Sequence, residues 1–217
     1  MTGILRGIMV FFSAAVAVFI PDAAYRYACW KCEKKDRPYP LQPDRRISMA
    51  VCVIGCSLFT GFCSCSVPGW KMCFACLFVW IAFFGACVDS LIRIIGNEML
   101  LALFFAGIIY RALCGGFAAY AGSLEAMGAM LVLFIVSAFI MKFLSGTRGV
   151  GMGDIKLAMV ASFIAGMENI SLFVIGMCAA MLLYIGFKLF NHTLTMRSTF
   201  PMCFPLMAGM LAAFAAV

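Results

Sequence analysis

The sequence has little charge. Of its 217 residues only 12% are Asp, Glu, Lys or Arg, whereas 65% are hydrophobic and the mean hydropathy is +1.09. Soluble proteins carry about 25% charged residues, so this composition excludes an ordinary soluble domain. No repeat or low-complexity tract stands out, and the only long polar stretch is residues 21–46. The composition therefore predicts a membrane protein with several spans.

Apolar runs near the roughly 20 residues that cross a bilayer recur along the chain. They predict an all-α polytopic bundle of about eight spans, at residues 4–20, 47–66, 72–88, 99–113, 127–144, 155–167, 170–187 and 200–217. The runs at 99–113 and 155–167 are short, so they must borrow neighbouring residues, lie where the bilayer is thin, or pack inside the bundle. We expect residues 1–217 to form a single membrane-embedded domain.

The distribution of Lys and Arg predicts the orientation, because translocated loops are poor in these residues. With the N-terminus outside, only Arg6, Lys71 and Arg111 of the 16 cations fall on the outer side. Topology therefore accounts for the net charge of +7, and no nucleic-acid partner is expected. The first run could instead be a cleavable signal peptide, but cleavage would leave the cations of segment 21–46 on the translocated side.

The polar segment 21–46 contains four of the seven prolines. It shows no helical period, so we predict a polar cytoplasmic loop there. Other connections are short and rich in turn residues. They lie at Val67–Gly69, Gly96–Asn97, Cys114–Gly116 and Ser145–Gly149. Short connections make sequential helices antiparallel neighbours.

Two acids lie at the ends of apolar runs. Asp89 ends the third run and Asp154 begins the sixth, so the predicted topology places both at the inner membrane edge. Acids at such positions usually mark a working site; the alternative is that each caps a helix or pairs with a nearby cation. Gly151 and Gly153 lack a Cβ, which lets the backbone take φ > 0 or approach another extended chain closely. A peptide substrate is such a chain.

The stretch Gly151–Leu157 reads Gly-Met-Gly-Asp-Ile-Lys-Leu. It resembles the GxGDxKL element of the prepilin peptidases, which belong to the GxGD class of membrane aspartyl proteases. The first acidic element of that family is an Asp followed after six residues by Pro and then Asn or Asp. Asp89 with Gly96 and Asn97 is similar to it, with glycine in place of proline; both residues bend a chain. Phe200–Pro205 loosely resembles the family's Pro-Phe-Gly-Pro turn.

The resemblance implies an aspartic endopeptidase in the cell membrane with its active site facing the cytoplasm. Asp89 and Asp154 would share one proton: the ionised carboxylate takes a proton from water, and the protonated one donates to the scissile carbonyl. The substrate would be a prepilin or pseudopilin whose short basic leader ends in Gly before an apolar helix. The candidate substrate-binding residues are Gly151, Gly153, Lys156, Arg93 and Asn97. Alternatively, Lys156 reaches the lipid head groups, and Arg93 and Asn97 merely end helices.

The cysteine pair Cys29 and Cys32 lies in the polar segment. Longer prepilin peptidases carry two such CxxC pairs there, which bind zinc in a region linked to N-methylation of the processed pilin. A structural zinc site needs four ligands, but this segment offers two thiols and the single histidine, His192, is distant in sequence. We therefore expect a reduced, metal-free pair and no cofactor, and the shortened segment argues against N-methyltransferase activity. Four further cysteines lie around the predicted outer turn and are called the outer group: Cys63, Cys65, Cys73 and Cys76. We expect them to be packing residues, with a disulfide as the alternative.

Other functions use the same features. A transporter or channel could use Asp89 and Asp154 as a proton or cation relay beside glycine-broken helix ends. A preflagellin or signal-peptide peptidase would share the two acids but act on another substrate, and a membrane scaffold would not need them. Apart from a pilin substrate we expect only membrane lipid as a partner, and the oligomeric state is open.

Overall fold

A computed structural model describes residues 3–145, 151–190 and 201–216, and these residues contain helices and no strand. The helices are α1 Gly3–Ala17, α2 Ile20–Glu33, α3 Arg45–Ser66, α4 Lys71–Ile92, α5 Asn97–Ser145, α6 Met152–Ala165, α7 Ile170–Phe190 and α8 Cys203–Ala215. A 3-10 turn at Met167–Asn169 joins α6 to α7. The predicted all-α fold is confirmed.

Six helical stretches of the described chain are long and apolar enough to cross a membrane. They are Gly3–Glu33, Arg45–Cys65, Lys71–Ile92, Asn97–Gly116, Ala118–Phe143 and Met167–Phe190. The short run at 99–113 extends at both ends into a full span. Helices α6 and α8, with 14 and 13 residues, rise only about 20 Å, less than the ~30 Å of a bilayer core. A polytopic bundle of about eight helices is thus confirmed, while the outer location of the N-terminus stays a prediction.

The chain divides into two compact units. The first comprises residues 1–94 with α1–α4, and the second comprises residues 95–216 with α5–α8. In the first unit α3 packs on α1, and α2 packs on α4, where the rings of Tyr27 and Phe84 lie 5.6 Å apart. That residues 1–217 act as one membrane-embedded domain stays a prediction.

The predicted loop at 21–46 is wrong over its first part, because residues 20–33 form α2. Pro21 lies in the first turn, where its missing N–H costs no helical hydrogen bond. Asp22 in the first turn and Lys31 in the last complement the helix dipole,. Residues 34–44 are not helical, and the chain then returns to the start of α2, where Arg45 Nη2 lies 2.6 Å from Asp22 Oδ2.

The predicted turn at Cys114–Gly116 is a kink within α5. Gly116 has a φ of +59°, and Gly115 also departs from helical geometry; the left-handed φ of Gly116 favours glycine. Tyr120 Oη donates a hydrogen bond to Ile108 O at 2.8 Å across the kink. The predicted turn at Val67–Gly69 separates α3 from α4, whereas most of the one at 145–149 lies outside the described residues.

Helix α6 packs on α5 and α8 within the second unit. Half of its residues are buried, including Leu157, Ala158, Ala161 and Phe163. Small residues let helices approach closely in a membrane bundle. Of the three options for the short predicted run at 155–167, packing inside the bundle is therefore the one observed.

All twelve cysteines lie in the described ranges. In the outer group, Cys63 and Cys76 are buried, as expected for packing residues, whereas Cys65 and Cys73 are exposed. Cys52 and Cys87 place their sulfur atoms 3.8 Å apart between α3 and α4. The cysteines of the first unit thus act mainly as small side chains at its helix contacts.

Candidate functional site

Asp89 lies in the last turn of α4 and is only 6% exposed. The helix ends at Ile92, and Arg93 N–H donates to Asp89 O at 2.9 Å. The main chain of Asp89 therefore closes the helix, while its side chain lies inside the protein. A buried acid within a candidate span is expensive to keep, which supports a working role.

Arg93 ends α4 in the left-handed conformation, with φ 52° and ψ 41°. This conformation costs a non-glycine residue about 1–2 kcal/mol. Arg93 is the C-cap residue of α4, and its side chain is exposed. Its part in substrate binding stays a prediction. Asn97 is the first residue of α5, and Gly96 O accepts a hydrogen bond from Leu100 N–H at 3.2 Å.

Asp154 lies in the first turn of α6, three residues after the N-cap residue Gly151. The N–H groups of Asp154 and Ile155 donate to Gly151 O at 3.0 and 3.2 Å. An acid in this turn complements the helix dipole. The Asp154 side chain is half-buried, so it lies near the surface of the second unit and not in its core.

The two glycines of this turn differ in their surroundings. Gly151 has φ −64° and ψ 141°, so a positive φ does not explain it. A Cβ at Gly151 would lie 3.0 Å from Asp154 Oδ2, whereas a Cβ at Gly153 would lie 3.5 Å from the Cβ of Ile95, an ordinary contact. Close approach is thus the structural reason for Gly151, and the group it approaches is the carboxylate of Asp154.

A cleft of about 460 Å³ lies between α5 and α6, entirely within the second unit. Asn97 and Lys156 are its polar lining residues. Its apolar lining comes from Leu100, Leu101, Phe104 and Met127 on α5 and from Met159 and Val160 on α6. Lys156 is exposed and lies two residues after Asp154 in the sequence, while Asp154 itself is not among the residues that line this cleft.

The structure therefore brings five of the predicted site residues into one unit. Gly151, Gly153, Asp154, Lys156 and Asn97 belong to the second unit, whereas Asp89 and Arg93 belong to the first. That the two carboxylates meet stays a prediction. Sequence analysis missed the apolar wall of the cleft. The sequence pattern that could have predicted this wall is the helical spacing of Asn97, Leu101 and Phe104, which places the three residues on one face of a helix.

Cys29 and Cys32 lie on α2, one turn apart, and Cys32 is buried. Within residues 3–145, 151–190 and 201–216, no three His, Cys, Asp or Glu side chains are placed to hold a metal ion. Two thiols do not complete the four ligands of a structural zinc site, and the absence of a cofactor stays a prediction.

Comparison with known proteins adds one match. A model of the type IV leader peptidase family matches residues 76–186. This range contains both predicted acidic elements and runs from α4 into α7. No curated protein and no solved structure matches the chain.

Proposed function

Because the chain belongs to the type IV leader peptidase family, we propose that it is an aspartic endopeptidase that removes the short basic leader of type IV prepilins or pseudopilins. It acts at the cytoplasmic face of the cell membrane with Asp89, Asp154 and a water molecule. The family match, which covers half of the chain and both acidic elements, carries this proposal. The multi-pass helical bundle suits a substrate that is itself anchored by an apolar helix.

The proposed chemistry needs two carboxylates around one water molecule. One ionised carboxylate takes a proton from the water as it attacks, and the protonated partner donates to the carbonyl oxygen of the scissile bond. Two carboxylates that hold one water molecule between them share one proton, because two adjacent negative charges repel each other. Asp154 lies at the start of its helix, and the neighbouring Gly151 is exposed. An extended substrate backbone can enter there.

We assign the cleft of the second unit to the apolar part of the substrate. The α5 residues from Asn97 to Phe104 follow the cleft for about 10 Å, and its walls beyond Asn97 and Lys156 are apolar. The charge of Lys156 repels a basic leader. The apolar helix that follows the scissile bond therefore enters the cleft, and the basic leader stays outside it.

Leu101→Trp tests this assignment, since Leu101 lines the cleft and is 55% exposed. We expect the larger ring to raise KM for a membrane-anchored substrate about tenfold and to change kcat little, because it blocks binding and not chemistry. The matched control is Leu113→Trp on the same helix, where Leu113 is 59% exposed and lies outside the cleft lining. Equal KM changes in both variants would reject the assignment.

Co-expression with a prepilin that carries a basic leader ending in Gly tests the proposed function itself. We expect loss of the leader by gel shift, and mass spectrometry should place the cleavage directly after this Gly. The new N-terminus should be unmethylated. An intact prepilin together with ion flux through reconstituted protein would support the transporter alternative instead.

A further inference from the structure

Arg111 is a buried cation that the proposed chemistry does not use. It lies on α5 inside the candidate span Asn97–Gly116 and is 3% exposed. Burying an arginine at membrane depth is costly, and such residues are usually functional. Its position far along α5 from Asn97 places it away from the cleft.

The guanidinium of Arg111 reaches the C-terminal end of α6. Its Nε donates to Phe163 O and its Nη1 to Glu168 Oε2, both at 3.4 Å. Gly166 takes a left-handed φ of +71°, and a Cβ there would overlap the guanidinium. Arginine and glycine thus fit together at the corner where α6 ends.

The contacts of Arg111 contribute too little stability to offset the cost of burying its charge. The Glu168 side chain is 65% exposed, and exposed ion pairs contribute little. Nη2 is buried and makes no hydrogen bond within the described part of the chain. A methionine at this position would fill the space without the charge.

We propose that Arg111 is a positioning residue for Asp154. It holds the Phe163 carbonyl near the end of α6, and the helix transmits its axial position and rotation from Phe163 to Asp154, nine residues and about 14 Å away. A displacement of about 1 Å at a catalytic group can cost about 10²-fold in rate. The consequence for activity rests on the proposed function, whereas the effect on α6 does not.

Arg111→Gln and Arg111→Lys test this role in the full-length purified enzyme. We expect Arg111→Gln to lower kcat of the folded fraction about tenfold, while KM stays within a factor of two. The separation between the two apparent pKa values of the pH–rate profile should also change. Arg111→Lys keeps the charge but cannot bridge both partners, so it should rescue only part of the loss. The matched control is Arg6→Gln, another arginine in a candidate span.

Amide hydrogen exchange of residues 152–157 measures the position of α6 without using activity. Protection should fall at least about tenfold in Arg111→Gln and stay unchanged in Arg6→Gln. Unchanged exchange, or unchanged kcat and pH profile with a lower melting temperature, would overturn the proposal and leave Arg111 a stability residue. If the wild-type enzyme does not cleave a prepilin, the proposed function fails, and the exchange result alone decides whether Arg111 positions α6.

Discussion

Asp154→Asn is expected to cleave a prepilin leader about 10² to 10⁴-fold more slowly than the wild type, because an amide cannot take or give the transferred proton. Asp89→Asn should show a loss of the same order. Asparagine has nearly the shape of aspartate, so both variants should fold and insert. Quantitative mass spectrometry of leader loss over time gives the rates.

Glu125→Gln is the matched control for these two variants. Glu125 is an exposed acid within the candidate span Ala118–Phe143, and it lies outside the proposed site. Its cleavage rate should stay within a factor of two of the wild type. If either aspartate variant keeps more than a tenth of the wild-type rate, the proposal that both acids catalyse the reaction is wrong.

Gly151→Val is expected to lower kcat about 10²-fold, and Gly151→Ala about tenfold. A Cβ at this position lies 3.0 Å from Asp154 Oδ2, so the carboxylate must move by a few tenths of an ångström, and valine displaces it further. The backbone of Gly151 is extended, so neither change strains the main chain. Steady-state kinetics with a purified prepilin separate kcat from KM.

Two other glycines calibrate this result. Gly128→Ala adds a methyl group where nothing lies within 4 Å, and it should leave both constants unchanged. At Gly153 a Cβ makes only an ordinary contact with Ile95. We therefore expect the free enzyme to tolerate Gly153→Ala. Any effect of this variant should be a rise in KM, which would report close approach of the substrate backbone. A normal kcat in Gly151→Val would contradict the arrangement of this turn.

Hydropathy predicted the helical class and most of the spans, because a bilayer imposes length and apolarity on any helix that crosses it. It was wrong for residues 20–33. Four prolines in the polar segment suggested a loop, although Pro21 occupies a first turn that accepts proline and the other three lie beyond Glu33. The glycines of Cys114–Gly116 predicted a turn between two spans, whereas the structure has a kink at Gly115 and Gly116 within a near-continuous helix.

The motif around Asp154 could be recognised from the sequence because it is local: an acid and two glycines lie next to one another where a helix begins. The spacing on α5 indicates one wall of the cleft, but neither the complete cleft nor the contacts of Arg111 could be predicted, because both arise from the packing of α6 and the turn after it on α5. Charge counting treated Arg111 only as a cation on the outer side. Its partners, Phe163 O and Glu168, lie more than 50 residues further along the chain, and no local pattern links them.

The central claim is that Asp89 and Asp154 act as one catalytic unit, and a double-mutant cycle of cleavage rates tests it most directly. The rates of wild type, Asp89→Asn, Asp154→Asn and the double variant are measured on one prepilin at one pH. Groups that act as a unit are strongly non-additive, so the double variant should be as slow as either single variant, within about threefold. A double variant slowed by the product of the two single effects would show that the acids act independently and would contradict the account.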